Sequence, residues 1–354
     1  VDVKTVQSNL DKDTLFLEFY LVGDETIIIA ISKDGQPVVR CEAIDTHEET
    51  DRVFDLFEAI SSANNTDTRS HEYIKKIKQP LAHFYELLIA PVAALIKEKK
   101  HVIISPHQFW HYLPFQALWD KATSEYLIDK VSVSYIPSAA ALIQYTNNAD
   151  REDVKDIKKR SYKSIVVLAN PTGDLEFAET EGMLIANKFD NADMFPRSFA
   201  RFEKIQEYAK CDIIHLACHG YFRGDAPALS HLVLSNANGD ADPVYLSELF
   251  NLKLDTSLVT LSVCETGMSR YTAGDELIGM VRAFMYAGSP SVVSSFWTVN
   301  DRSTFLLMNR FYDGFVRYGE GRAEALRQAA LTLKNNPEYS HPRDWAVFQI
   351  NGEW

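Results

Sequence analysis

Two short apolar segments of this sequence each end near a residue that can take part in nucleophilic catalysis. The first is Ile213–Gly220, in which His219 precedes a glycine, and the second is Leu258–Gly267, which carries Cys264. A histidine beside a thiol can act as the base that generates the thiolate, which is the attacking form of cysteine. We therefore predict a catalytic pair of His219 and Cys264.

The two segments are predicted to be buried parallel strands, because each is a continuous apolar run followed by polar residues. In open α/β sheets, catalytic groups collect outside the carboxyl ends of such strands. The chain between them is long enough for His219 and Cys264 to lie on neighbouring strands. The backbone N–H groups of Gly220 and Cys264 are the predicted oxyanion donors, since glycine lets a substrate carbonyl approach closely.

A zinc site is an alternative use of Cys211, His215, Cys218 and His219, whose spacing superficially fits a metal ligand set. Alternation along a strand places His215 and His219 on one face and Cys218 on the other. The four cannot converge while the segment is extended, so we expect no metal and no cofactor. Cys211, Cys218 and Cys41 are then expected to be packing residues, and His215 a core histidine with satisfied nitrogens.

The bulk properties fit a soluble globular protein. The chain has 354 residues, a net charge of −13 and four cysteines. The negative charge argues against direct nucleic-acid binding, and sparse cysteines indicate a reducing compartment, so we expect a cytoplasmic protein. No apolar run approaches the roughly 20 residues of a membrane helix, and no membrane association is expected. Because residue 1 is Val, we expect the chain to come from a longer protein.

The order of elements predicts an α/β fold with a mostly parallel sheet covered by helices on both faces. The charged segment Asn147–Lys163 is the predicted linker between an N-terminal subdomain, residues 1–158, and a catalytic subdomain, residues 159–354. In the N-terminal part, Pro80 and Pro91 are expected to interrupt a long helix. The predicted strands of the second part are Ser164–Ala169, Asp212–Ala217, Ser257–Val263 and Ser291–Phe296, with a possible last strand at Asp344–Ile350.

The sequence resembles the CHAT family of clan CD cysteine peptidases, relatives of caspases and separase. The matching motifs are His215–Gly220, Leu261–Gly267, Ala287–Asp301 and His341–Phe348, with upstream landmarks at Tyr85–Pro91, Leu113–Leu118 and Val167–Pro171. The resemblance covers nearly the whole chain and implies a caspase-like fold. It also implies that His219 is the general base, that Cys264 is the nucleophile, and that the smaller N-terminal subdomain is a degenerate, non-catalytic caspase-like unit.

The resemblance further implies a cysteine endopeptidase that cleaves a partner protein. Family members often follow tetratricopeptide repeats or other sensor modules and occur in bacterial defence systems. We therefore expect a sensor-gated effector in a defence or cell-death pathway, with a gasdermin or a CRISPR-associated protein as the implied substrate. The alternative is a catalytically silent caspase-like scaffold or interaction module.

Substrate selection is less determined by the sequence. Asp301, Asp275 and Glu276 could line an acidic pocket for Arg or Lys, and Trp297 could form its wall. Asp275 and Asp301 also stand where helix N-caps are expected, and Trp297 could simply pack, so both interpretations stay open. The sequence offers no evident group that orients His219, and a backbone carbonyl could serve as well as a carboxylate.

Overall fold

The computed structural model describes residues 1–63, 70–148, 162–223, 226–266, 276–297 and 301–354. The chain divides into two compact units. Unit 1 comprises Val1–Lys155 and His341–Ala346, and unit 2 comprises Asp156–Ser340 and Val347–Trp354. The predicted linker falls mostly outside the described residues, and the degenerate caspase-like character of the N-terminal part stays a prediction.

The elements are numbered along the chain. The strands are β1 (Thr14–Val22), β2 (Glu25–Ser32), β3 (Val38–Ala43), β4 (His101–Ser105), β5 (Trp119–Asp120), β6 (Glu125–Tyr126), β7 (Ser132–Tyr135), β8 (Ser164–Ala169), β9 (Asn191–Pro196), β10 (Ile213–Tyr221), β11 (His231–Ser235), β12 (Ala241–Tyr245), β13 (Leu258–Thr266), β14 (Ser291–Ser295) and β15 (Phe348–Gly352). The α-helices are α1 (Val3–Ser8), α2 (Thr46–Ser61), α3 (His71–Phe84), α4 (Ala93–Ile96), α5 (Leu127–Lys130), α6 (Ala139–Asn148), α7 (Ala178–Ala186), α8 (Phe202–Glu207), α9 (Leu246–Phe250), α10 (Glu276–Ala287), α11 (Asp301–Tyr312), α12 (Arg322–Lys334) and α13 (Pro342–Trp345).

Unit 1 is built on a sheet in the strand order β7-β4-β1-β2-β3. Strands β7, β4 and β1 are parallel, and β2 and β3 continue the sheet as antiparallel hairpins. The long helical stretch after residue 70 is interrupted around Pro91 as predicted, whereas α3 continues through Pro80, contrary to the prediction. A π-helical turn at Tyr85–Ile89 and a 3-10 turn at Ala90–Val92 separate α3 from α4, and Pro80 and Pro91 lie within this stretch.

One helical stretch of unit 1, Glu72–Ile96, is long and apolar enough by length and composition to cross a membrane. Of its most apolar window, 44% is buried inside the protein. A core helix passes the same length and composition test, so this stretch is weak evidence for a membrane span.

Unit 2 contains the sheet that carries both predicted catalytic residues, in the order β9-β8-β10-β13-β14-β15. Strands β9, β8, β10, β13 and β14 are parallel, and β15 pairs antiparallel with β14. Beyond the end of β8, the last residues of β10 pair with β11, and β11 pairs with β12, both antiparallel. The predicted mostly parallel sheet is therefore confirmed.

Helices cover both faces of the unit 2 sheet. On one face, Leu216 and Cys218 of β10 and Leu261 of β13 join a buried apolar cluster with Leu249 of α9 and Phe284 of α10. The opposite face of β10 packs against α7 and α11, which contribute buried polar side chains described below. This two-sided burial explains why the central strands are continuous apolar runs in the sequence.

Three strands of unit 2 were not predicted, namely β9, β11 and β12. Strands β9 and β12 lie toward the edges of the sheet, where exposed positions remove the apolar run that marks a central strand. Strand β11 is mostly buried but only five residues long. The possible last strand at Asp344–Ile350 is wrong in its first half, because Pro342–Trp345 forms a short helix opened by a proline at its first turn. The final strand begins at Phe348.

Candidate functional site

The register of two central strands brings the predicted catalytic residues together. In the parallel pair of β10 and β13, His219 lies directly opposite Cys264. Neighbouring strands are about 4.8 Å apart, and register partners in a parallel pair project to the same face. The backbone thus places His219 and Cys264 one strand spacing apart, while the side chain of Cys264 lies outside the described part of the structure.

A carboxylate holds the imidazole of His219. Its Nε2 lies 3.0 Å from Oδ1 of Asp174, and the two side chains are 21% and 64% exposed. An ionised carboxylate only accepts hydrogen bonds, so Nε2 carries the proton. Nδ1 is then the ring nitrogen with the lone pair, and it is the nitrogen that can take a proton from a thiol.

Asp174 is kept ionised by its neighbours. The hydroxyl of Thr172 donates to the same Oδ1, and this hydrogen bond is the main reason that the pKa of Asp174 lies below its usual range. Partial burial opposes the shift, and the hydrogen bond and charge of His219 reinforce it. Asp174 is therefore negatively charged throughout the neutral pH range.

A tight turn after β8 places Asp174 beside β10. Asn170 adopts a left-handed backbone conformation (φ 53°), which asparagine tolerates better than most residues. Its N–H donates to Ala217 O at 2.8 Å, and its Oδ1 accepts from Leu175 N at 2.9 Å. Gly173, also with positive φ, donates to Asn170 O at 3.1 Å. These bonds close the loop and fix the position of Asp174.

A buried side chain and a surface ion pair support this turn. Asn170 is 3% exposed, and its Nδ2 donates to Glu179 Oε1 at 2.8 Å. The same carboxyl oxygen accepts from Arg197 Nε at 2.7 Å. Asn170 therefore ties the loop that carries Asp174 to the start of α7.

The other histidine of β10, His215, has a structural role, as predicted. His215 is fully buried, with Nε2 3.0 Å from Glu181 Oε1 and Nδ1 3.2 Å from the Tyr312 hydroxyl. That hydroxyl also lies 2.9 Å from Thr260 Oγ1, and burial raises the pKa of Tyr312. Both ring nitrogens of His215 are satisfied inside the core between the sheet, α7 and α11.

We expect removal of the Glu181 carboxylate to destabilise unit 2 without acting on the chemistry. Glu181→Ala leaves the buried His215 Nε2 without its partner, a loss of about 1–3 kcal/mol in the free energy of unfolding. Urea unfolding followed by circular dichroism measures this, with the exposed Glu203→Ala as control and Glu181→Gln as the variant that keeps a hydrogen bond. An unfolding free energy for Glu181→Ala equal to that of Glu203→Ala would contradict the argument.

Gly220 is required by packing between β10 and β13. A Cβ at this position would lie 2.5 Å from Cγ1 of Val263 and 3.2 Å from the ring of Phe222. The absence of a side chain at Gly220 thus lets the β10 backbone, directly after His219, lie close to the side chain of Val263. The roles of the Gly220 and Cys264 N–H groups as oxyanion donors stay predictions.

The remaining described cysteines lie away from the His219 face. Cys218 is fully buried in the apolar cluster on the opposite face of β10, as the alternation predicted. Burial raises the pKa of the Cys211 thiol to about 11, which keeps it protonated and unreactive. The prediction for Cys41 was wrong, because its strand β3 is exposed along the edge of unit 1 and so is the thiol. Within the described ranges no three His, Cys, Asp or Glu side chains are grouped to hold a metal.

The predicted substrate-binding residues are only partly described. Asp275 lies outside the described residues, and Glu276 and Asp301 are the first residues of α10 and α11, with side chains that are not described. Trp297 is 2% exposed and stacks on Phe296 at 5.7 Å between ring centroids. Its burial favours the packing interpretation, and the role of these residues in substrate binding stays a prediction.

Asp174 is the site residue that the sequence interpretation missed. The signal was present, since Asn170-Pro171-Thr172-Gly173-Asp174 is a polar turn directly after an apolar strand, and its first two residues belong to the family landmark Val167–Pro171. Polar residues that end a neighbouring parallel strand are expected at the same edge of the sheet as His219.

Comparison with known proteins now decides the family. The model of the CHAT domain family matches residues 78–353. The chain belongs to the CHAT domain family. Tetratricopeptide repeat protein 28 of Mus musculus is 21% identical over 359 residues, which cover 86% of this chain and 14% of that protein. The Homo sapiens protein of the same name is 21% identical over 326 residues, 78% of this chain and 13% of that protein. The CHAT chain therefore spans only a small part of these curated relatives.

A solved structure shares the fold of this CHAT domain. The separase chain in a crystal structure of the Saccharomyces cerevisiae separase–securin complex superposes with a TM-score of 0.68 at 12% identity, over 99% of this chain and 30% of that one. At this identity the likeness shows the fold alone, and it confirms the predicted caspase-like α/β architecture.

Proposed function

We propose that this CHAT domain is a cysteine endopeptidase in which Cys264 is the nucleophile, His219 the general base and Asp174 the positioning residue. One observation carries the proposal. His219 stands opposite Cys264 in the β10–β13 register and at 3.0 Å from the ionised Asp174. A nucleophile beside a base that a third group orients is the general arrangement of nucleophilic catalysis.

The proposed reaction follows from these positions. Nδ1 of His219 takes the proton of the Cys264 thiol, and the thiolate attacks the carbonyl carbon of the scissile peptide bond. The protonated His219 then gives its proton to the leaving amine, which departs and leaves a thioester on Cys264. Water then attacks the thioester while His219 takes its proton. The C–S bond breaks, the leaving sulfur of Cys264 takes that proton from His219, and the acid product departs.

Asp174 favours these reaction steps in two ways. Its hydrogen bond selects the tautomer with the lone pair on Nδ1, so the base is ready for the thiol. Its negative charge stabilises the imidazolium that exists between the two proton transfers. Because Asp174 is largely exposed, solvent screens part of this second effect.

Thiol alkylation tests the proposal by comparing two cysteines of the same protein. Cys41 is an exposed thiol in unit 1, far in sequence from the site, and serves as the internal reference. Iodoacetamide labelling, quantified at each cysteine by mass spectrometry, is expected to be faster at Cys264 than at Cys41. His219→Ala should remove that difference.

Two results would contradict the proposed pair. One is equal labelling of Cys264 and Cys41 in the wild type, and the other is a Cys264 advantage that survives in His219→Ala. Cys264→Ala identifies the labelled peptide, and the buried Cys211 and Cys218 report whether a variant has opened its core. An unactivated Cys264 would favour the catalytically silent scaffold.

We also propose that a tetratricopeptide-repeat or other sensor module precedes this CHAT domain and gates a cytoplasmic peptidase that cleaves a partner protein. The support is that the curated relatives are tetratricopeptide repeat proteins in which the matched region is a small fraction. The defence pathway and the gasdermin or CRISPR-associated substrate stay predictions. Co-expression of the full-length protein with its genomic neighbours, followed by terminal sequencing of fragments, tests them.

A further inference from the structure

Three aromatic rings form an exposed row beside the proposed catalytic histidine. Tyr221, two residues after His219 and on the same face of β10, pairs in register with His231 of β11, which pairs with Tyr245 of β12. Ring centroids are 5.0 Å apart in the first pair and 5.2 Å in the second. We call this row the aromatic ladder.

The ladder is exposed although the other face of the same strands is buried. Tyr221 is 40% and Tyr245 36% exposed, whereas their sequence neighbours Phe222 and Val244 are 8% and 2% exposed and belong to the apolar cluster. Large aromatic side chains arranged contiguously on a surface mark a binding site more often than scattered ones do.

The surroundings of the ladder favour an apolar ligand. Of the residues that share its face on β11 and β12, Val233 and Ser235 are buried while Ala241 and Pro243 are exposed, and none of the four carries a charge. The ring of His231 is held by Nδ1, which lies 2.8 Å from the carbonyl oxygen of Leu229 and donates to it. The row therefore offers a flat and largely apolar surface.

The order of strands assigns the ladder to one side of the scissile bond. His219 has Cys264 on β13 to one side and β11 with β12 to the other. In the proposed reaction the acyl half of the substrate is bound to Cys264, while His219 protonates the amine of the departing half. The departing half consequently begins at His219 and continues toward the ladder.

We propose that Tyr221, His231 and Tyr245 form a subsite for the segment after the scissile bond, selecting an aromatic or large aliphatic side chain. This inference rests on the proposed function. From the spacing of residues along a strand and of neighbouring strands in a sheet, the backbone of the ladder residues lies about 7–12 Å from the backbone of His219. An extended peptide covers this distance in about two to four residues. The selected side chain thus stands at one of the second to fourth positions after the bond.

The first experiment determines which bonds the full chain cleaves in a peptide library made from a proteome digest. Aromatic and large aliphatic residues are expected to be enriched two to four residues after the cleaved bond. For the best site, paired internally quenched peptides that differ only in phenylalanine or serine at the enriched position give a ratio of kcat/KM. Tyr221→Thr and Tyr245→Thr should each lower that ratio about tenfold.

The matched control is Tyr286→Ala, which removes an aromatic side chain that is 77% exposed on α10. Its ratio should stay that of the wild type. Because the ratio of kcat/KM for the phenylalanine and serine peptides is taken within each variant, a general loss of catalysis does not change it. If Tyr221→Thr does not fold, Tyr245→Thr alone tests the subsite. Absence of the enrichment, a preference for acidic residues, or an unchanged ratio in both ladder variants would overturn the proposal.

A binding measurement separates this inference from the proposed function. The probe is the departing half alone, a tetrapeptide Gly-Phe-Trp-Phe with a fluorophore at its C-terminus, compared with Gly-Ser-Ser-Ser and followed by fluorescence anisotropy. If the wild type cleaves no peptide, the proposed function fails, while weaker binding of the aromatic probe in the ladder variants still supports the subsite. Equal binding of both probes by the wild type rejects the subsite.

Discussion

Replacement of Cys264 or of His219 by alanine is expected to lower kcat/KM by about 10⁴-fold or more. Cys264→Ala removes the atom that forms the thioester, and His219→Ala removes the base that makes the thiolate and the acid that protonates the leaving amine. The measurement is cleavage of an internally quenched peptide by the full chain. Either loss should appear in kcat more than in KM, because both residues act on the reacting atoms.

The double variant makes this expectation specific to a catalytic pair. Residues that act as a unit are strongly non-additive, so Cys264→Ala with His219→Ala together should be no worse than either change alone. Suitable controls are Cys41→Ala and His47→Ala, which remove an exposed thiol and an imidazole whose side chain is 89% exposed. A Cys264→Ala variant that retains the wild-type rate would refute the peptidase proposal.

Much of the candidate site was predictable because its determinants are local. The runs Ile213–Ala217 and Leu258–Val263 are apolar on both faces because helices cover both sides of the sheet, and that pattern is visible in the sequence. Alternation along β10 then separated Cys218 from His219 without knowledge of tertiary structure. The alternation of side chains between the two faces of a strand was sufficient for that distinction.

The rest depends on pairing between distant segments. The opposition of His219 and Cys264 is a register between strands, and the proximity of Asp174 depends on how the turn after β8 folds back on Ala217. Neither is encoded in the periodicity of one segment. Cys41 fails for the same reason, because the exposure of its thiol depends on the position of β3 at the end of the strand order, which the segment alone does not encode.

Asp174→Asn is expected to lower kcat by about 10- to 100-fold, with a smaller change in KM. Asparagine has the shape of aspartate, but it has no charge to stabilise the imidazolium, and its amide can present a donor to Nε2 and so select the wrong tautomer of His219. Asp174→Glu keeps the charge and should recover part of the loss. The exposed Asp190→Asn in the same unit is the matched control.

The pH dependence distinguishes this positioning role from a loss of stability. The pKa of Asp174 is depressed by the Thr172 hydroxyl, so the carboxylate stays ionised in the folded protein until the pH falls below its ordinary value. Its contribution is therefore present at neutral pH and is lost as the pH falls through the depressed pKa of Asp174. Asp174 itself therefore does not titrate between about pH 5 and pH 9, but Asp174→Asn removes the charge that stabilises the imidazolium, so the acid limb of its kcat profile should lie at lower pH than that of the wild type. Acid limbs at the same pH in the wild type and Asp174→Asn, or an equal loss of kcat in Asp190→Asn, would show that the carboxylate of Asp174 does not act on His219.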